Sequence, residues 1–381
     1  MNEAGQRLHV IDGLRVFAAC MVMFFHLGYW SWANPRSRGA SILEGAAQYP
    51  QLAAYSWWGW VGVEIFFVIS GFVIAYSSAN VGFPRFVRSR FLRLFPAILV
   101  CATITLAVIV GNDLMPFSRA LQAYWRTLVI WPFGGWLDNV YWTLSVELTF
   151  YCMVAGLLLL RRPQLFAVAM GALGLITTGL AAGSYLGGRL EPNFPGLSDQ
   201  LSDTLLLRHG MYFSLGYFIW SAMATGWTRT KIVLIAILLT GGAFPILVSA
   251  DKLARAPGVG SGWIPLGVWL AAVAIMIASV VVASRQRSRP QRRWLTLLGM
   301  ATYPLYLLHY IAGAALMAVL VRAGWSPGIA LPAACLAMMA SAIIVTVVIE
   351  RGPRRWFAAA IDAVFGGGRA AGAAVTAAQK D

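Results

Sequence analysis

Val-Ile-Asp-Gly-Leu-Arg-Val-Phe-Ala-Ala-Cys-Met-Val-Met-Phe-Phe-His-Leu-Gly-Tyr-Trp, residues 10–30, is a hydrophobic run long enough to cross a bilayer, yet it carries Asp12, Arg15 and His26. An ionisable side chain inside a membrane costs a few kcal/mol on insertion scales, so it faces protein or a water-filled cavity rather than lipid, and by default marks a functional site. Arg15 and His26 are eleven residues, about three turns, apart. They share one helix face at a separation of roughly 16 Å along the axis. Asp12 lies one turn before Arg15 and is placed to pair with it. The stripe ends on histidine, the side chain best matched to proton transfer near neutral pH.

Working outward, the whole chain has the same character. Of its 381 residues 59% are hydrophobic and 11% charged, with a mean hydropathy of +0.71, which excludes a soluble multi-domain protein and describes a polytopic membrane protein. Lipid offers no partner to an open sheet edge, so the fold class is all-α, a helix bundle. Ten spans are expected: 10–30, 57–77, 95–112, 141–160, 164–185, 209–225, 231–249, 263–284, 297–320 and 328–349, with 120–135 as a further interfacial or re-entrant piece. Residues 1–356 then form one membrane-embedded domain and 357–381 a flexible Gly/Ala-rich tail. No leader that would be cleaved is expected, since the first apolar run holds Asp12 and Arg15.

The net charge of +15 resides almost wholly in Arg of short connections. Examples are Arg85, Arg88, Arg90 and Arg93 after the second span, and Arg285, Arg287, Arg289, Arg292 and Arg293 after the eighth. This positive-inside pattern puts both termini in the cytoplasm and speaks against a nucleic-acid partner. The expected location is the plasma membrane, the inner membrane of a bacterium. Cys20, Cys101, Cys152 and Cys335 lie in apolar runs without a Cys-x-x-Cys pair, so neither a disulfide framework nor a metal site is indicated. No internal repeat is visible.

Four further stretches carry chemistry-bearing residues. In Gly62-Val-Glu64-Ile-Phe-Phe-Val-Ile-Ser70-Gly71-Phe72, Ser70 and Gly71 suit close helix packing, and Glu64 needs a partner or a proton. In Arg85-Phe-Val-Arg88-Ser-Arg90-Phe-Leu-Arg93-Leu-Phe-Pro96, Arg90 and Arg93 are one turn apart. They either clamp phosphate or sit in a basic helix lying on anionic lipid. In Tyr141-Trp142-Thr-Leu-Ser-Val-Glu147 the aromatics read as an interfacial belt, while Glu147 lies at the depth of His26 and is a candidate to orient it. Tyr303-Pro-Leu-Tyr306-Leu-Leu-His309 adds a second histidine and Tyr306 to the same cavity, whose expected lining is Glu64, Ser70, Trp142, Tyr306 and His309.

Taken in order, these stretches resemble the integral-membrane O-acyltransferases of bacterial carbohydrates, acyltransferase family three, from about residue 8 to 356. The resemblance implies a ten-helix enzyme that takes an acyl group, acetyl by default, from cytoplasmic acyl-CoA. The acyl group passes to a hydroxyl of an envelope or exported glycan such as O-antigen of lipopolysaccharide or an exopolysaccharide. It places Arg15 and His26 in the family's arginine–histidine motif, and Arg90 and Arg93 in its paired-arginine motif. Glu64 stands where many members have Asp. Glu147-Leu148-Thr149-Phe150-Tyr151 departs from the usual Glu-Glu-Gln-Phe-Tyr. Macrolides and small glycosides are acceptors of some relatives, so the motifs leave the acceptor open.

In the mechanism that follows, Arg90 and Arg93 hold coenzyme A phosphates, the pantetheine arm threads past Arg15, His26 is general base and Glu147 fixes its tautomer. Arg15, paired with Asp12, or a nearby donor stabilises the tetrahedral oxyanion, so that His26, Glu147, Arg15 and Asp12 are the candidate catalytic residues. An acyl-histidine intermediate fits equally, and ping-pong kinetics separate the two. The rival reading is a proton-coupled transporter or flippase of a glycan or lipid, with the same buried charges as a relay; the missing repeats weigh against it.

Overall fold

The computed structural model describes residues 9–162, 164–188, 197–254, 261–283 and 293–363, and every regular element among them is helical. The proposed tail beyond 363 and the arginines of 285–292 lie outside the described residues. Helix α1 is His9–Phe25, and it runs through a π-helical turn, His26–Trp30, into Ser31–Ala33. There follow α2 (Gly62–Ser78), α3 (Phe83–Gly111), α4 (Phe117–Leu128), α5 (Trp142–Leu159) and α6 (Leu165–Leu186). The second half holds α7 (Gly210–Thr225), α8 (Arg229–Ala254), α9 (Trp263–Ala283), α10 (Arg293–Leu308), α11 (Ile311–Arg322) and α12 (Pro327–Arg351).

Among the described residues eight helices are long and apolar enough to cross a membrane, and α10 with α11, bent by 72° at their junction, makes a ninth if the pair is one span. The protein is thus a multi-pass membrane protein. The expected sixth span is α7, whose 16 residues reach about 24 Å, short of a ~30 Å hydrocarbon core. It lies inside the bundle, with eleven of its residues buried. The expected interfacial piece is α4, an amphipathic helix that ends before Trp131 and Phe133, both exposed.

Helices α1, α2, α7 and α10 form the centre: α2 packs on α7 and α1, and α10 on α1 and α12, while α6 and α8 pair at the periphery. Small residues set the closest approach. A Cβ on Gly71 of α2 would collide with the Phe213 backbone of α7, and one on Gly216 of α7 with the Val68 backbone of α2. Without a hydrophobic drive between helices in lipid, such backbone contact is what gains dispersion energy. Gly299 of α10 serves likewise, since the Asp12 carboxylate occupies the space a side chain would need.

The break between α10 and α11 falls at His309 and Tyr310. A helix restarted after a bend presents N–H groups without a helical acceptor. Here the Ile311 N–H donates to Asp138 Oδ2 at 3.3 Å, while Oδ1 of the same carboxylate accepts from Val140 N–H at 3.1 Å. Asp138 is fully buried and joins the turn that starts α5 to the start of α11. The Arg38 guanidinium donates to the Leu137 carbonyl beside it.

Candidate active site

Two polar clusters lie along the centre of the bundle. The first is a histidine pair. His26 opens the π-helical turn of α1, a widening found often at functional sites, and its Nδ1 lies 2.9 Å from Nε2 of His309. His309 is 1% exposed. Its Nδ1 is 2.9 Å from the Tyr306 carbonyl and 3.1 Å from that of Leu305. Carbonyls only accept, so Nδ1 of His309 carries the proton and its Nε2 is the acceptor. His26 Nδ1, also 3.0 Å from the Val22 carbonyl, is by the same reasoning the donor. This leaves Nε2 of half-buried His26 with a free lone pair. The Tyr310 ring stacks on His26 at 4.6 Å between centroids, and its hydroxyl accepts from Gly39 N–H.

The second cluster lines a cavity of about 70 Å³ bounded by Arg15, Phe67, Ser70, Arg93, Thr143, Glu147, Tyr303 and Tyr306, drawn from five helices. A water needs ≳10–15 Å³ on the same measure, so this space holds several. Arg15 is held by Asp12 at 3.6 Å and lies within electrostatic reach of Arg93 and Glu147. Exposed Arg93 stands at the cavity's mouth. Glu147 accepts from Ser70 Oγ at 3.1 Å and from the Tyr151 hydroxyl one turn along α5. At the far end, Thr143 Oγ1 donates to the Tyr306 hydroxyl at 3.1 Å. Tyr306 therefore faces the cavity with its hydroxyl and the histidine pair with its carbonyl.

Several expectations change. The partner of His26 is His309, not Glu147: the carboxylate of Glu147 is engaged by Ser70 and Tyr151 at the Arg15 end of the cavity. Arg90 and Arg93 do not form one clamp. Three residues turn a helix by about 300°, leaving ~60° between the two side chains, and Tyr151 enters that gap. Arg90 lies over the Tyr151 and Phe86 rings at 5.8 and 5.5 Å and faces a separate groove. Buried Glu64 does not line the cavity. It lies within electrostatic reach of Asp203 and Tyr212, on the α7 side. Trp142 packs against Phe67 and His209 rather than lining the cavity. Gly71 is the packing position expected, whereas Ser70 is a ligand of Glu147.

Sequence reasoning missed three groups. Tyr151 carries a findable signal, its spacing of four from Glu147. Asp138 looked like one of several acidic loop residues, and its burial depends on contacts 173 residues away. His209, 3.3 Å from Asp203 and packed on Phe67 and Trp142, has no local pattern that announces it. Among the described residues no group of three His, Cys, Asp or Glu is placed to hold a metal.

Comparison with known proteins bears on what this arrangement does. Residues 8–351 match a family described as an acyltransferase domain. Nodulation protein 10 of Rhizobium leguminosarum bv. viciae is 33% identical over 200 residues, 45% of this chain and 51% of the relative. O-acetyltransferase OatA of Staphylococcus aureus is 26% identical over 340 residues, 79% of this chain and 49% of the relative. A putative peptidoglycan O-acetyltransferase YrhL of Bacillus subtilis is 28% identical over 187 residues, 42% and 26% of the respective lengths. The chain spans about half the length of the first two relatives. No solved structure matches it.

Proposed function

This chain belongs to the acyltransferase domain family, and on that premise we propose that it is a membrane O-acetyltransferase acting on a hydroxyl of an envelope or exported glycan. The observation that carries the proposal is the His309–His26 pair, which leaves a free imidazole lone pair on His26 and is tied through the Tyr306 carbonyl to the wall of the cavity that holds Arg15 and Arg93. The names of two relatives, an O-acetyltransferase and a putative peptidoglycan O-acetyltransferase, support acetyl as the group and a glycan as its acceptor.

The proposed donor is cytoplasmic acetyl-CoA. Arg93 at the mouth and Arg15 within bind its phosphates, arginine forks being matched to phosphate oxygens, and Glu147 and Asp12 keep the two guanidinium groups apart and oriented. The positive-inside pattern of the sequence supports a cytoplasmic mouth, with both termini on the same side of the plasma membrane. The thioester advances past Tyr306 towards His26. As the acceptor oxygen attacks the thioester carbon, His26 Nε2 takes the hydroxyl proton. The tetrahedral adduct then expels the thiolate, which receives that proton, leaving the acetyl ester and free coenzyme A. Accepting a proton makes His26 an imidazolium, and its Nδ1–H then donates more strongly to His309 Nε2. His309 thus holds the tautomer and stabilises the cation, the part a carboxylate plays in serine hydrolases.

The test separates donor binding from transfer. Protein in nanodiscs is titrated with coenzyme A and assayed with labelled acetyl-CoA and an envelope glycan. His26→Ala is expected to bind coenzyme A as the wild type does and to transfer nothing. Arg93→Ala is expected to bind it about tenfold less well, the loss of one charged contact worth ~1.4 kcal/mol. Transfer by His26→Ala at a rate near the wild type's would refute the base.

A further inference from the structure

Arg90 is left over from that mechanism. It faces not the cavity but a groove of about 270 Å³ on the opposite side of Tyr151, formed by α3, the end of α4 and α5. The walls are apolar throughout, among them Phe86, Leu94, Ile98, Ile130, Leu148 and Ala155. Along α3 the groove runs from Phe86 to Ile98, twelve residues or about 18 Å, from the arginine-bearing start of the helix into its apolar part. Its rim is open: Val87, Phe91 and Val129 are exposed large apolar side chains, and Cys152 is exposed as well.

The single charge on this apolar surface is only partly satisfied: Arg90 Nε donates to Ser89 Oγ at 3.2 Å, and the Tyr151 hydroxyl and the Glu147 carboxylate act on it from the cavity side. Arg90 makes no ion pair among the described residues, and one terminal guanidinium nitrogen is buried without any hydrogen-bond partner. A cation removed from water is unfavourable until an anion or further acceptors reach it. The rings of Phe86 and Tyr151 supply only part of that. The complementary ligand has an apolar body and a negative head. The coenzyme A donor does not fit this description here, because its polar groups belong in the cavity on the other face of Tyr151. We propose that the groove binds one acyl chain of an anionic phospholipid whose phosphate lies against Arg90. The exclusion of coenzyme A rests on the donor placement proposed above, whereas the test reads lipid binding and does not require activity.

The probe is phosphatidylglycerol against phosphatidylcholine, added to full-length protein in detergent. Bound lipid is counted by native mass spectrometry, and the alkylation rate of Cys152 is followed in a Cys20→Ala, Cys101→Ala, Cys335→Ala background. Phosphatidylglycerol is expected to bind about fivefold more tightly than phosphatidylcholine, as one arginine–phosphate contact worth ~1 kcal/mol implies, and to slow alkylation of Cys152. Arg90→Gln is expected to bring the two lipids to equal affinity. Ala155→Trp, which fills the groove and leaves Arg90 in place, is expected to abolish protection by both. Equal affinity of the two lipids for the parent protein, an undiminished preference in Arg90→Gln, or protection that survives Ala155→Trp would each overturn the proposal.

Discussion

His26 was legible because a charged or titratable side chain stands out in an apolar run; its partner was not. Sequence gives depth along a helix but not which helices face one another, and His309 is 283 residues away. Glu147 and His309 were both at suitable depth, and only tertiary packing decided between them. If His309 holds the tautomer of His26, His309→Ala should lower kcat by about 100-fold, the low end of what a positioned base contributes, with the KM for acetyl-CoA unchanged. Steady-state kinetics in proteoliposomes would show this. A raised KM with kcat intact would instead make His309 part of the donor site. Glu147 has the opposite signature. Its substitution by Ala frees Ser70 and Tyr151 and leaves Arg15 with Asp12 as its one remaining carboxylate, so the KM for the donor should change, read in the same assay.

At the scale of elements, most apolar spans were read within a few residues because lipid forces every backbone group into a helix. Helix α3 starts at Phe83, twelve residues before the expected 95, because its arginine-rich first turns are helical as well. Two features resisted. Helix α7 is short, which hydropathy registers only as a weak span. The bend at His309–Tyr310 has no proline at its apex, so nothing local marks it; its cause is Asp138, a cap supplied from another element. That carboxylate gives a prediction with a definite sign. Burial pushes the Asp138 carboxyl up to about 6 from its ordinary 3.8, against the opposing pull of its N–H donors and Arg38. A carboxyl with a raised folded-state value favours the protonated folded form. The stability it contributes is present below the unfolded value and lost as pH rises through about 6, a difference on the order of 3 kcal/mol. Relative to Asp138→Asn, which does not titrate, the wild type should therefore lose thermal stability between pH 4 and pH 7. Parallel melting curves across that range would contradict it. Packing of α2 on α7 yields a second prediction. Gly216→Val drives a branched side chain into the Val68 backbone and should destabilise the protein by about 2 kcal/mol or more, seen as a lower melting temperature.

At the scale of the molecule, the bundle does what neither cluster does alone. It lines up a cationic cavity fed by Arg93 with a histidine pair one turn beyond Tyr306, and it sets both inside an envelope of apolar helices that excludes bulk water. The ordered motifs exposed most of these residues in the sequence, since each is an ionisable group in an apolar setting. Their division into an arginine-lined cavity, a histidine pair and an apolar groove arises from how α1, α3, α5 and α10 rotate about their axes, which periodicity alone leaves free. The direct trial of the whole arrangement is transfer of label from radiolabelled acetyl-CoA to envelope glycan by purified protein in proteoliposomes, comparing wild type with His26→Ala of verified membrane insertion. We expect glycan-dependent labelling and stoichiometric release of coenzyme A thiol by the wild type and neither by the variant. Labelled glycan in equal yield from both would contradict the assignment of His26 as the base.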